Sequence, residues 1–318
     1  MDFKKYLKQK ELSKTTIKAY QYHVLNFITF LDKDNTEIEQ CTEKEVMLYM
    51  GDVQKKGVDN ITRKLRLYAL KHFFNFQIET GKRENNPAKR IKITGSQKQK
   101  LYPILSPQEL QALYENYTVP QKDDKRSHHN WFTNYRISKE RNKVILGLLI
   151  NQGITTAEIN RILIDDLDLR KGTIDIRGGK IGNDRTLELK SNQIMDIMEY
   201  LYKTRPEILK FYQIDKAPLL EGLGRLFLST PASGQTTAKE TEKLEIFKRL
   251  TQDLKAQNPK FINFLQVRSS VITQWLKTYN LRQVQYKAGH KHIISTEAYL
   301  INDTDDLKNE IDNYHPIG

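Results

Sequence analysis

The sequence is poor in the features that mark disulfide scaffolds, membrane proteins and metal sites. It holds one cysteine in 318 residues, Cys41, so no intramolecular disulfide can form and a reducing, cytoplasmic setting is expected. Long apolar runs are missing too. The strongest, residues 144–150 (VILGLLI), falls far short of the roughly 20 residues a bilayer span needs. The opening MDFKKYLKQKELSK contains no signal-peptide core, so export is not expected. His128 and His129 adjoin, but no acidic residue or cysteine stands at ligand spacing; neither a metal nor another cofactor is expected. No internal repeat or low-complexity tract occurs. Acidic charge is also short: 39 Asp and Glu against 52 Lys and Arg leave a net charge of +13 and a pI near 9.4. Such an excess suits a polyanion, either nucleic acid or an acidic membrane surface. With no membrane-spanning run, the expectation is a soluble intracellular protein that meets nucleic acid.

What is present is mostly helical patterning, and the length allows one large or two medium domains. Residues 1–93 carry three amphipathic patterns. Ser13 precedes Ile17, Tyr20, Val24, Phe27 and Leu31; Thr42 and Glu45 form a capping box before Val46, Tyr49, Met50 and Val53; Asn60 precedes Ile61, Leu65, Tyr68, Leu70, Phe73 and Phe74. The third pattern also holds Arg63, Lys64, Arg66 and Lys71, read as phosphate contacts. Residues 94–104 lack apolar periodicity and read as a basic linker, with Lys98 and Lys100 placed to lie along DNA. A second domain is expected over 105–318. It opens on Ser106-Pro107-Gln108-Glu109, with Ser at the N-cap, Pro at the first helical position and Glu at the third. Residues 118–141 read as an irregular surface insertion, followed by an apolar helix over 141–152. Two alternating segments, 173–177 and 185–189, flank the turn residues 178–184 and predict a hairpin with Lys180 near its tip. Further helices are expected over 191–204, 206–212 and 237–257. The fold class expected is mainly α with a small β-hairpin or sheet, α+β.

The chemistry concentrates near the C-terminal end. Arg268, His290 and Tyr299 follow one another in an order that suits attack of a phenol on a phosphodiester. A guanidinium grips two phosphate oxygens, an imidazole adds a hydrogen bond, and a tyrosine oxygen is a competent covalent nucleophile.

This stretch resembles the C-terminal signature of the tyrosine recombinases, which runs His-x-x-Arg, then Leu-Gly-His, then Ser-Thr-x-x-Tyr. Arg268, Ala288-Gly289-His290 and Ser295-Thr296-Glu297-Ala298-Tyr299 fit it, whereas Leu265 stands at the first histidine. Upstream, Gly153, Glu158 and Asp166-Leu167-Asp168 resemble the family's first box, Thr-Gly-Leu-Arg-x-Ser-Glu-Leu, but Thr155 stands where the family has an arginine. Lys180, five residues before Arg185, matches the family's hairpin lysine.

The resemblance implies a helical, SAM-like core-binding domain over 1–93 and a catalytic domain over 105–318. It implies that Tyr299 forms a 3′-phosphotyrosyl bond, Lys180 protonates the leaving oxygen, and Arg268 and His290 stabilise the phosphate, with Glu158 in support. Double-stranded DNA would be the partner, a homotetramer on synapsed DNA the assembly, a mobile genetic element the context, and the nucleoid the place. The tail after Tyr299 would pack on a neighbouring protomer. With Thr155 and Leu265 in place of charged or donor residues, a second cation is needed, and Arg177 ranks ahead of Arg161 for that role. Two other readings stay open: a catalytically weak or inactive DNA-binding accessory protein of the same fold, and a nicking enzyme like the type IB topoisomerases.

Overall fold

A computed structural model describes residues 2–33, 35–95, 102–180, 182–212, 224–231 and 246–300. The chain divides into two compact units, Met1–Lys100 and Leu101–Gly318.

The first unit is built from α1 (Phe3–Gln9), α2 (Lys14–Asp32), α3 (Glu43–Lys55) and α4 (Asn60–Glu79). Each begins where a short polar side chain takes up an orphan backbone N–H. Ser13 accepts from Thr16 N, and Thr42 and Glu45 form the reciprocal box read from the sequence. The cap of α4 is Asp59, one residue earlier than expected. Asn60 is left to bind the carbonyls of Thr94 and Gly95, at 3.0 and 2.6 Å. The apolar stripes meet in a core containing Phe27, Val46, Tyr49, Leu70, Phe74 and the buried Cys41.

The second unit opens with α5 (Pro107–Glu115), capped by the Ser106–Glu109 box. The next helix, α6, runs Phe132–Asn151, so it takes in ten residues of the segment expected to be irregular. The reason is tertiary. Arg136 is buried against Glu140 and Glu207, and Arg141 is wholly buried on the carbonyl of Leu228 at 2.7 Å. These polar residues face the core with partners from elsewhere, which hides the apolar period. After α7 (Thr156–Ile159), the strands β1 (Leu167–Asp168), β2 (Thr173–Ile176) and β3 (Arg185–Glu188) form an antiparallel sheet in the order β1-β2-β3. The expected hairpin is its β2–β3 pair, with Ile174 opposite Leu187 and Ile176 opposite Arg185. Helix α8 (Ser191–Glu199) continues through a wider π turn (Tyr200–Thr204) into α9 (Arg205–Leu209). Then follow α10 (Ile246–Gln257), α11 (Phe264–Thr278), α12 (Leu281–Ala288) and α13 (Ile294–Glu297). The part of the 237–257 expectation before Ile246 lies outside the described residues. Helix α6 is the axis of this unit's core, with Ile145, Leu146, Leu148 and Leu149 buried among residues from the sheet and α8 to α11.

Candidate active site

Arg268 is placed by α11, whose Val267, Val271 and Ile272 are buried around it. Asn263 starts the helix by accepting from Gln266 N at 2.9 Å. The C-terminal end of α6 is turned onto α11 by Gly153, at φ 56°. A Cβ at Gly153 would stand 3.0 Å from Val271 and 3.2 Å from Trp275, so the close approach requires glycine. That approach presents the Gly153 carbonyl to Arg268 Nη1. Arg268 Nη2 donates to the carbonyl of Ala288 at 2.6 Å and to His290 Nε2 at 3.3 Å.

His290 emerges where α12 ends in the left-handed Gly289, at φ 69°. Tyr299 follows α13 and is 8% exposed. Its ring lies nearly parallel to that of His290, centroids 5.7 Å apart, and packs with Ile272, Val284 and Ala288. The three residues picked from the sequence therefore meet within one chain.

The tautomer of His290 follows from its partners. Arginine only donates, so Nε2 must accept from Arg268, and Nδ1–H donates to Thr296 Oγ1 at 2.9 Å. Burial, then the positive charges of Arg268 and Arg185, push the imidazole down to about 4, against a smaller opposing effect of Glu158. It is neutral at pH 7, and donation to a phosphate requires its proton to move to Nε2. Burial also lowers Arg268 from the usual guanidinium range, while Glu158 and Tyr299 pull the other way. It remains charged at neutral pH.

The hairpin docks on the same place. Asn183 N donates to the carbonyl of Gly289 at 3.0 Å, and Gly182 bridges to His290. Lys180, exposed in the turn, is thus carried two residues from Gly182 and three from Asn183. Leu265 lies one turn before Arg268 and is half exposed. Thr155 caps α7: its Oγ1 accepts from Glu158 N at 3.1 Å and donates to Glu158 Oε2 at 2.9 Å.

The two arginines expected to substitute for the missing one have other partners. Arg177 is turned away onto Asp166 at 2.7 Å, its side chain 53% exposed. Arg161 reaches the carbonyl of Arg177 at 3.1 Å and covers Gly179 in the turn. The second guanidinium beside Arg268 and His290 belongs to Arg185. It is buried against Glu158 at 2.7 Å and donates from Nε to the carbonyl of Lys287 at 2.8 Å. Burial raises the Glu158 carboxyl, but the bonds and charge of Arg185 outweigh that and hold it below its ordinary value. Alternation contained the signal for Arg185: it has the same parity as Leu187 and Leu189, which point inward.

Of the basic residues on α4, Arg63 is buried and bonded to Asn60 at 2.8 Å. Lys71 holds the carbonyl of Ile91 at 3.0 Å, and Lys64 and Arg66 are half-buried. Lys98, Lys100 and the tail after Leu300 lie outside the described residues. Among the described residues, no group of three or more His, Cys, Asp or Glu is arranged to hold a metal ion, and no helix is long and apolar enough to cross a membrane.

Comparison with known proteins bears on the same residues. Residues 1–81 match the family model described as phage integrase, N-terminal SAM-like domain, and residues 121–305 match that of the phage integrase family. The tyrosine recombinase XerA of Pyrococcus furiosus is 27% identical over 304 residues, covering 94% of this chain and 87% of the relative. A tyrosine recombinase XerD of Listeria innocua serovar 6a is 25% identical over 312 residues, covering 97% and 95%. The fold is shared with XerH site-specific recombinase bound to difH substrate, at TM-score 0.62 and 18% identity over 92% of this chain and 78% of that one. It is also shared with a lambda integrase tetramer bound to a Holliday junction, at TM-score 0.59 and 17% identity over 93% and 74%. With the family's catalytic model spanning the hairpin, Arg268, His290 and Tyr299, this chain belongs to the phage integrase family of tyrosine recombinases.

Proposed function

We propose that the protein cuts and rejoins double-stranded DNA at specific sites through a covalent bond between Tyr299 and a 3′ phosphate. The observation that carries this reading is the meeting of Tyr299, His290 and Arg268 in one chain. The Tyr299 oxygen attacks phosphorus as its proton passes to water, and the bond to the 5′ oxygen breaks. Lys180, on the hairpin that docks against Gly289, protonates that oxygen. Arg268 spends three hydrogen bonds on the protein and keeps further N–H groups for the non-bridging oxygens. His290 fixes the guanidinium in place, and Glu158 holds the interior beneath it. The phosphotyrosine conserves the bond energy, so rejoining needs only a returning 5′ hydroxyl.

The helical domain, residues 1–93, and the basic linker, 94–104, clamp the duplex while 105–318 carries the chemistry. Four copies on synapsed DNA exchange strands, in the cytoplasm at the nucleoid, in the service of a mobile element. Support for the assembly comes from the DNA-bound tetramer among the proteins of the same fold.

The test is covalent capture. A randomised pool of nicked duplexes is incubated with the protein, and DNA that stays attached under denaturing conditions is sequenced. The wild type is expected to yield one enriched sequence, and Tyr299→Phe to bind that DNA equally well without any adduct. DNA binding by a wild type that never forms adduct supports the accessory-protein reading instead. Relaxation of supercoiled plasmid irrespective of sequence supports the topoisomerase-like one.

A further inference from the structure

The interior behind His290 holds two guanidiniums, Arg185 and Arg268, and one carboxylate, Glu158. Arg185 is the more enclosed, its side chain 0% exposed. Its Nη1 binds Glu158 Oε1 at 2.7 Å and its Nε the Lys287 carbonyl at 2.8 Å, yet its Nη2 is buried with no hydrogen-bond partner among the described residues. Glu158 offsets one positive charge, so the cluster keeps an excess of one. The backbone is shaped around this group: a Cβ at Gly289 would lie 2.4 Å from Arg185 Nη1, so only glycine lets the chain pass on its way to His290.

Glu158 also reaches Thr155, with Oε2 bonded to the Thr155 N–H at 2.7 Å and its hydroxyl at 2.9 Å. One carboxylate thus joins the first turn of α7, where a neutral threonine stands, to the start of β3, where the buried cation stands. We propose that Arg185 is the second positive charge of the recombinase site, a positioning residue that acts on the scissile phosphate through the interior. It holds Gly289 and His290 in place and offsets the negative charge that builds on the non-bridging oxygens in the transition state. The proposal rests on the recombinase reading. It does not need Arg185 to touch DNA, which its complete burial rules out in this conformation.

The test uses the full-length protein and the nicked duplex recovered by covalent capture, made with either an ordinary phosphate or a methylphosphonate at the scissile position. The methylphosphonate lacks the charge that Arg185 is held to offset. On phosphate, Arg185→Gln is expected to lower single-turnover adduct formation by about 100-fold, the lower end for loss of one electrostatic donor, with DNA affinity within about twofold of wild type. On methylphosphonate, the variant is expected within a few fold of wild type. Arg185→Lys keeps the charge without the fork and is expected to cleave phosphate within about tenfold of wild type; it also serves if the glutamine variant does not fold. Adding Thr155→Arg to Arg185→Gln should restore part of the loss on phosphate. Equal losses on both DNAs, or a lysine variant as impaired as the glutamine one, overturn the proposal in favour of a packing role. A wild type that attaches to neither DNA refutes the recombinase reading and the proposal with it, and that outcome is told apart because it needs no variant.

Discussion

The two strands of the hairpin each offer an arginine near the turn, and they behave in opposite ways. Arg177, just past the end of β2, is half exposed on the solvent side and held by Asp166. Arg185, which opens β3 opposite Ile176, points inward and is sealed against Glu158 and the end of α12. Side chains alternate along a strand, so the parity of a single residue separates a screened surface cation from a charge in a medium of low dielectric. Proximity in sequence to Lys180 favours Arg177. The direction of the side chain favours Arg185.

The strongest way to break this contrast is to strip Arg185 of its carboxylate. Glu158→Ala leaves Arg185 buried without a counter-charge and is expected to cost about 3–5 kcal/mol of folding stability, read by urea denaturation at pH 7.5. A loss below about 1 kcal/mol would mean that Arg185 reaches water and is not interior.

A subtler probe is pH. The folded-state value of His290 lies at about 4, below the roughly 6.5 of an unfolded histidine. As pH falls from about 6.5 towards 4, the unfolded chain takes up a proton that the folded protein refuses. Stability from this group is therefore complete above that window and declines within it. The charged groups acting on the ring are Arg268, Arg185 and Glu158, so Arg185→Gln should flatten the decline and Arg177→Ala should leave it as it is. Equal slopes in the wild type and Arg185→Gln would show that the Arg185 charge does not reach the ring.

The smallest effect is expected of Arg177→Ala itself. An ion pair with one exposed partner contributes about 0–1 kcal/mol, and adduct formation should stay within a few fold of wild type. Loss of cleavage with binding intact would reverse the assignment of the two arginines.

Much of this was legible along the chain. The caps at Ser13, Thr42 and Ser106 start helices by interactions within three residues, and such signals do not depend on the rest of the fold. The grouping of Arg268, His290 and Tyr299 was expected from residue types and order that suit one reaction, and the three side chains do come together. The start of α6 was not, since Arg136 and Arg141 look like surface residues until Glu207 and the Leu228 carbonyl arrive from 71 and 87 residues away. Arg185 was half legible: its inward parity was readable, but nothing local announced Glu158, 27 residues earlier, or the Lys287 carbonyl, 102 residues later.

The sequence by itself determined the helical first unit, the hairpin and the cast of chemical groups, since period, capping and side-chain chemistry are properties of short segments. Only the tertiary structure decided which arginine is a cation of the interior and which histidine nitrogen carries the proton. Those depend on burial and on partners far away in the chain, through which the same guanidinium becomes either a screened surface charge or a buried one.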